Sequence, residues 1–225
     1  MSTRVILGVF TAAALIAATE AAATPAPLAP GGSVSPVPTY SSTGTPTVSV
    51  LFDTGQQSLS AGGVTVSFEE LAVDTSLNPG GVAFGFTITT SNDPTSLSAT
   101  LPGYAGFTSS VESCDPFTTA TVVCGTATGK AARSSGTGDV LSFSSLGTTP
   151  VAVGPVTVYA SNAYGIFTNA PHFTDPSVTV NDDGTSFTFR GVGPSAAAAV
   201  PEPATLALLG LGLIGTALAR RRRSR

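Results

Sequence analysis

The chain has 225 residues and a net charge of −4, and only 10% of its residues are charged. Between residues 24 and 199, only Lys130, Arg133 and Arg190 are basic, against eleven carboxylates, so this span has a net charge of −8. Because phosphate binding needs a basic surface, this balance argues against nucleic acid as a partner. Abundant Gly, Ser, Thr and Pro are typical of an exported β-protein rather than a helical cytosolic enzyme.

Residues 1–23 have the three parts of a secretory signal peptide. Arg4 supplies the charged start, residues 5–18 form an apolar stretch, and Ala21 and Ala23 complete an A-x-A cleavage site. The apolar stretch is shorter than the ~20 residues that span a bilayer. We therefore predict a signal helix that is removed after Ala23, and export of the remaining chain.

Two segments rich in small residues predict linkers. Residues 24–46 contain six prolines among Gly, Ser, Thr and Ala, and such a segment buries too little apolar surface to offset its ordering entropy. Residues 191–199 form a shorter Gly/Ala-rich spacer. A linker or disordered arm is expected at 24–46, a spacer at 191–199, and one folded domain at 47–190.

The apolar residues of this domain alternate with polar ones, which is the pattern of a strand with one buried face. Phe84, Phe86 and Ile88 show it, and Val178 and Val180 are expected to pair with Phe187 and Phe189 across a turn at 181–184. Gly, Pro and Asn separate nine or ten such stretches. We predict an all-β fold, an antiparallel β-sandwich of immunoglobulin-like or jelly-roll-like type.

Cys114 and Cys124 are the two cysteines. In an exported chain this spacing favours a disulfide, which would stabilise the domain by ~2–4 kcal/mol. A metal pair would need further soft ligands nearby, and a reactive thiol is the remaining alternative.

The candidate catalytic residues form no known pattern. His172 is the single histidine, and the chain lacks a Gly-x-Ser-x-Gly elbow, so a surface role is expected for His172. Glu69 and Glu70 are adjacent on a strand, where they would point to opposite faces, and Glu70 is expected to be exposed. The chain also has no Trp to stack on a sugar. No catalytic residue is predicted.

The domain is predicted to bind no cofactor, and calcium binding is the alternative. Asn181, Asp182, Asp183, Asp74 and Asp175 carry the hard oxygen donors that calcium prefers. They lack the spacing of a calcium loop, and Asp182 and Asp183 fit a tight turn. No metal site is predicted on this pattern, and calcium binding stays open.

Hydroxyl side chains dominate the polar positions, as in residues 87–91. They could accept O-glycans or bind exopolysaccharide through many weak contacts. The simpler interpretation is a solvent-facing strand surface, because Thr is a good strand residue.

The C-terminus, residues 200–225, has three consecutive parts. Pro201, Glu202 and Pro203 precede an uncharged stretch from residue 206 to residue 219, and Arg220, Arg221, Arg222 and Arg223 follow. A transmembrane helix over residues 204–219 would be about 24 Å long, short of the ~30 Å hydrocarbon core. Arginines favour the cytoplasmic side, so the domain would lie in the periplasm.

This tail resembles the PEP-CTERM sorting signal of exported proteins in Gram-negative bacteria, whereas the central domain resembles no family that we can name. The resemblance implies recognition by a membrane-embedded exosortase, cleavage near Pro201, Glu202 and Pro203, and transfer to the cell surface or extracellular matrix. The inner membrane would be a transient partner. Such tails are also called ice-binding protein C-terminal domains, which here denotes an address and not ice binding.

The apolar stretch also contains a G-x-G-x-x-G pattern, with Gly210, Gly212 and Gly215. A dinucleotide site needs that pattern between a strand and a helix of a βαβ unit. Because these glycines lie in an apolar segment that starts at Leu206, we interpret them as small residues that allow close helix packing in lipid.

These observations predict a non-enzymatic exported protein with a structural or binding role at the surface or in the biofilm matrix. Two alternatives stay open. One is an exported enzyme that acts on polysaccharide, and the other is a periplasmic protein that its C-terminal helix tethers permanently.

Overall fold

The computed structural model describes residues 25–39, 47–114 and 129–196. Every regular element in these ranges is a β-strand, and every strand pair is antiparallel. The prediction of an all-β antiparallel fold is confirmed. The described ranges contain no helix long and apolar enough to cross a bilayer. The expected signal helix at 1–23 and transmembrane helix at 204–219 lie outside these ranges.

Seventeen strands are numbered here in chain order. They are β1 Ala26–Pro27, β2 Ser33–Val34, β3 Val48–Asp53, β4 Gln57–Ala61, β5 Val64–Thr75, β6 Ala83–Thr90, β7 Leu97–Leu101, β8 Ser109–Cys114, β9 Lys130–Arg133, β10 Leu141–Ser144, β11 Thr148–Val153, β12 Val156–Ser161, β13 Ala163–Thr168, β14 His172–Thr174, β15 Ser177–Asp182, β16 Thr185–Arg190 and β17 Gly193–Ser195.

The strands form two large sheets and one small one. The nine-stranded sheet has the order β1-β8-β13-β6-β12-β11, and the long β5 pairs with β6 on one side and with β3 and β4 on the other. The six-stranded sheet has the order β16-β15-β7-β10-β9-β2, and β14 pairs with β17. The predicted pairing across the turn at 181–184 is confirmed, because Val178 lies opposite Phe189 and Val180 opposite Phe187.

The two large sheets pack face to face through aromatic side chains. Phe86 of the nine-stranded sheet meets Phe143 of the six-stranded sheet edge to face, with ring centroids 5.0 Å apart. Phe68 of the nine-stranded sheet stacks on Phe189 of the six-stranded sheet, with ring centroids 5.5 Å apart. Such pairs add about 0.5–1.5 kcal/mol each beyond the apolar area that they bury. The alternation of apolar residues in the sequence thus corresponds to one shared core.

The expectation of a linker or disordered arm at 24–46 is wrong for residues 25–39. This segment adds β1 to the edge of one large sheet and β2 to the edge of the other. Leu28 is 2% exposed and Val37 is fully buried. Proline is tolerated at sheet edges, where a missing N–H costs no ladder bond, so a proline-rich segment can still bury its few large apolar side chains.

The spacer expected at 191–199 is also part of the fold over its first residues. β17 pairs with β14, and Val192 is buried in the core. The Gly191 N–H donates to the Pro176 carbonyl oxygen at 2.8 Å. The described fold therefore runs from residue 25 to residue 196, beyond both boundaries of the predicted domain at 47–190.

Candidate functional site

An open cleft of about 300 Å³ lies on the outer face of the nine-stranded sheet. This volume is at the lower end of the ~300–1,000 Å³ range of ligand sites. Its polar side is formed by Gln56 and by residues of β4, β5 and β6 and the turn after β6, namely Ser58, Thr65, Ser67, Thr89, Thr90 and Ser91. Its apolar side is formed by Val153, Val156 and Val158 of the β11–β12 hairpin.

Three of the serine hydroxyls of the cleft are held by hydrogen bonds to neighbouring cleft residues. The Ser58 and Ser67 hydroxyls lie 2.7 Å apart across β4 and β5, and the Thr65 N–H donates to Ser91 Oγ at 3.0 Å. A hydroxyl has one donor and two acceptor positions. Each of these groups therefore keeps hydrogen-bonding capacity for a ligand after its internal bond is made.

The apolar side of the cleft comes from a hairpin that extends past its neighbour. β12 pairs with β6 only through Tyr159 and Ala160, while its earlier residues pair with β11 alone. Val156 is half exposed there. A ligand with hydroxyl edges and an apolar C–H face matches a cleft with one polar and one apolar side.

Two carboxylates lie near the cleft on the same sheet. Glu69 follows Ser67 on the outer face of β5, and its pKa is raised by partial burial and by the negative charge of Asp53. An anionic ligand would add to this repulsion. The surroundings of the cleft therefore favour a neutral ligand over an anionic one.

The expectation that Glu70 is exposed is wrong. Glu70 is fully buried and shares the inner face of β5 with Phe68 and Ala72. Its Oε2 accepts a hydrogen bond from the Val192 N–H at 2.8 Å. Burial raises the pKa of Glu70 to about 8, and the hydrogen bond from Val192 lowers this pKa by a smaller amount. The period of two already places residue 70 on the face of Phe68, so alternation was the signal that could have located it.

Two further buried ionisable groups were missed by the sequence analysis. Glu112 is 8% exposed, and burial raises its pKa to about 8. Glu112 lies over Gly165 of the neighbouring strand, where a Cβ would come within 3.0 Å of its Cγ. Arg133 is buried as well, and burial lowers its pKa. The one available signal for Arg133 was the rarity of basic residues in an acidic domain.

The Arg133 guanidinium connects three separate backbone segments through four carbonyl oxygens. It donates to the carbonyl oxygens of Gly138 at 2.7 Å, Leu28 at 3.2 Å, Tyr104 at 2.6 Å and Phe107 at 2.7 Å. The planar donor fork of arginine suits such convergent acceptors. Arg133 has a structural role, because these bonds fix the loops around one end of the core.

The remaining candidate side chains are dispersed. Asp182 is buried and accepts from Thr90 Oγ1 at 2.5 Å, whereas Asp183 is exposed and accepts from the Ser96 N–H at 2.7 Å. Hydrogen bonds from the Thr95 hydroxyl and the Thr95 N–H, together with the one from Ser96, lower the pKa of Asp183. Asp175 pairs with Arg190, and His172 is exposed on β14.

Within 25–39, 47–114 and 129–196, no three His, Cys, Asp or Glu side chains are grouped to hold a metal. Asn181 accepts from the Gly184 N–H at 2.9 Å and closes the hairpin turn, and Asp74 lies near the end of β5. Calcium binding stays a prediction.

The disulfide also stays a prediction. Cys114 ends β8, and Cys124 lies outside the described residues.

The residues assigned to processing lie outside the described ranges too. They are Ala21 and Ala23 of the signal cleavage site, Pro201, Glu202 and Pro203, the anchor residues Leu206, Gly210, Gly212 and Gly215, and Arg220, Arg221, Arg222 and Arg223. Their assignment rests on the sequence alone.

A family model for the PEP-CTERM protein-sorting motif matches residues 199–223. The C-terminus is a PEP-CTERM sorting segment. The protein is therefore exported, associates with the membrane for sorting, and is processed by an exosortase, a membrane enzyme. The PEP-CTERM segment occupies the end of the chain only, and no family model matches the two-sheet domain. No curated protein and no solved structure matches the chain.

Proposed function

We propose that this PEP-CTERM protein is a non-enzymatic component of the cell surface or extracellular matrix that binds a neutral polysaccharide through the hydroxyl-lined cleft. The observation that carries the proposal is the cleft itself, in which hydroxyls of three strands face the valines of the β11–β12 hairpin. Polysaccharide chains present hydroxyl edges and apolar ring faces, which this combination complements.

The charge of the domain supports a neutral polymer. Residues 24–199 carry a net charge of −8, and Glu69 and Asp53 lie on the sheet that forms the cleft. A uronic acid or sulfated polymer would be repelled both at long range and at the site.

Binding without catalysis is supported by the positions of the acidic residues. A glycosidase uses two carboxyl groups on either side of one bond, about 5–10 Å apart. Glu70 lies in the core between the sheets and Glu69 lies on the outer face, so this pair does not flank a common substrate. The Glu69–Glu70 pair therefore gives no support to the enzyme alternative.

The proposed route has two stages. The two-sheet domain is first held at the periplasmic face of the inner membrane, and exosortase processing then transfers it to the surface or matrix. The kinship of the domain with immunoglobulin-like or jelly-roll sandwiches stays a prediction. Mass spectrometry of the mature protein tests the route, because persistence of the peptide from residue 206 to residue 219 would show a permanent tether.

The cleft is tested by glycan-array and calorimetric binding with the mature secreted chain. Thr89→Val removes one cleft hydroxyl at constant shape, and Ser67→Ala removes a second. At about 1 kcal/mol for each of the two hydrogen bonds, the double variant should bind roughly thirtyfold more weakly. Thr87→Val is the matched control, because Thr87 lies on the same face of β6 but outside the cleft.

The expected result is this weakening in the double variant and wild-type binding in Thr87→Val. If the double variant binds a neutral glycan as tightly as the wild-type chain does, the cleft is not the binding site. Hydrolysis of that glycan by the wild-type chain would favour the enzyme alternative.

A further inference from the structure

One end of the two-sheet domain consists of three loops that are tied to one another. We call residues 76–82, 102–108 and 169–172 the loop end. The Asn78 side-chain amide donates to the Thr168 carbonyl oxygen at 2.9 Å, and the Thr108 N–H donates to Asn169 Oδ1 at 2.8 Å. A Cβ at Gly81 would overlap the Thr168 carbonyl oxygen, so glycine permits this close contact. The loop end is one continuous surface.

The loop end is the part of the fold from which the sorting segment departs. His172 pairs with Ser195 in the β14–β17 sheet, and a Cβ at Gly193 would lie 3.3 Å from the Pro102 carbonyl oxygen. The match to the sorting motif begins at residue 199, three residues beyond the described fold. Fully extended, the five steps from residue 196 to residue 201 reach at most about 18 Å.

The composition of the loop end differs from that of the rest of the domain. Its three loops contain no Asp, Glu, Lys or Arg, although residues 24–199 carry a net charge of −8. Leu77 is 40% exposed there. Asp74 and Asp139 lie in neighbouring segments, and Asp175 is paired with Arg190. Anionic lipid headgroups repel an uncharged end with an exposed leucine less than they repel the acidic surfaces of the domain.

From the short tether and this composition, we infer that the loop end lies on the bilayer surface while the sorting segment is in the membrane. The occupant of the surface is lipid, with Leu77 at the headgroup level. The inference rests on membrane-associated sorting and not on the polysaccharide cleft.

This orientation has a consequence for the cleft. Thr65 and Ser67 are near the start of β5, whereas the loop end follows Thr75 at its other end. Eight to ten strand residues separate the two sites by roughly 26–33 Å along the sheet. With the loop end on lipid, the cleft lies near the opposite end of the sheet, clear of the membrane, and is accessible before processing.

Tryptophan fluorescence tests the inference, because the chain contains no Trp. The mature chain with its sorting segment is reconstituted in vesicles of phosphatidylethanolamine and phosphatidylglycerol, with and without brominated acyl chains. Leu77→Trp places the reporter on the loop end. Leu59→Trp is the matched control, since Leu59 is 42% exposed and lies on β4 near the start of β5.

Brominated lipid should quench Leu77→Trp by about half and Leu59→Trp by less than about a tenth, because only the first ring enters the interface. Equal quenching of the two variants overturns the inference. So does an absence of quenching in these protein-free vesicles, which would assign the loop end to a protein partner instead.

A second variant tests the role of the tether. Twelve Gly and Ser residues inserted between Ala196 and Ala197 add roughly 20 Å of flexible reach. Quenching of Leu77→Trp should then fall to the level of Leu59→Trp. Full quenching of Leu77→Trp in this variant would show that the short tether does not hold the loop end on the bilayer, and would overturn the inference. Glycan binding by the soluble chain is a separate readout, so failure here leaves the cleft proposal standing.

Discussion

Glu70 Oε2 accepts a hydrogen bond from the Val192 N–H at 2.8 Å, and the two residues are 122 positions apart in the chain. This bond joins the core strand β5 to the segment that leads into the PEP-CTERM sorting segment. Because Glu70 is fully buried, its protonation is coupled to folding and to the docking of that segment.

Stability should fall as the pH rises from 5 to 8. Burial raises the pKa of Glu70 and of Glu112 from 4.5 to about 8. Between pH 4.5 and pH 8 the two carboxyl groups keep their protons in the folded chain and lose them in the unfolded chain. The stabilisation that they contribute is therefore full below pH 4.5 and is lost as the pH approaches 8. The slope is up to about 1.4 kcal/mol per pH unit for each group. Urea unfolding at several pH values measures it.

Glu70→Gln is the diagnostic variant for this slope, because it keeps a carbonyl acceptor for Val192 and removes the titrating group. The slope should be halved in Glu70→Gln and in Glu112→Gln, and should nearly vanish in the double variant. A wild-type chain whose stability rises between pH 5 and pH 8 would contradict the prediction.

Gly191→Ala should detach the segment that follows it. A Cβ at Gly191 would lie 2.7 Å from Glu70 Oε2 and would also overlap the Val178 side chain. Overpacking of this kind costs about 1–3 kcal/mol. Limited proteolysis of residues 191–196 and urea unfolding report the change. Gly85→Ala is the control, since the nearest atom to its Cβ would be 4.0 Å away, and equal effects of the two substitutions would refute the argument.

Arg133→Met should destabilise the fold by about 3–5 kcal/mol, because four carbonyl groups at one end of the core lose their donor. Arg133→Lys should recover little, since an ammonium group cannot reproduce the planar fork. Arg190→Met is the comparison. The Arg190–Asp175 pair is about half exposed, so its loss should cost less than about 1 kcal/mol. Chemical denaturation of the three variants ranks them, and similar losses for Arg133→Met and Arg190→Met would count against the assigned role.

Removal of residues 24–46 should abolish cooperative unfolding. The truncated chain loses β1 and β2, the buried side chains of Leu28 and Val37, and the Leu28 carbonyl that Arg133 contacts. The point variant Leu28→Ala should cost about 2–4 kcal/mol through the cavity that it leaves. Thermal unfolding monitored by circular dichroism measures both. A truncated chain that melts as sharply as the full mature chain would restore the linker interpretation.

Much of the fold could be predicted because a strand with one buried face has a period of two. The hairpin of β15 and β16 illustrates this, since Val178 and Val180 pair with Phe189 and Phe187 as expected. The same period also places Glu70 on the buried face of β5, and the expectation of an exposed Glu70 was wrong because it followed residue type instead of position. A carboxyl group normally avoids burial, and only the packing of residues 191–193 over β5 supplies the burial and the hydrogen bond that keep it inside.

The sequence by itself determined that this protein is exported and sorted at the membrane. Pro201, Glu202 and Pro203, the apolar stretch and the arginines form a linear signal, which an enzyme reads from neighbouring residues and which needs no fold to be recognised. Tertiary structure alone decided the extent of the domain and the place of the cleft. Residues 25–39 carry too few apolar side chains to order themselves, and they fold only because two sheet edges offer partners to them. The cleft likewise joins Ser67, Thr89 and Val156, which lie far apart in the chain and meet only through strand pairing.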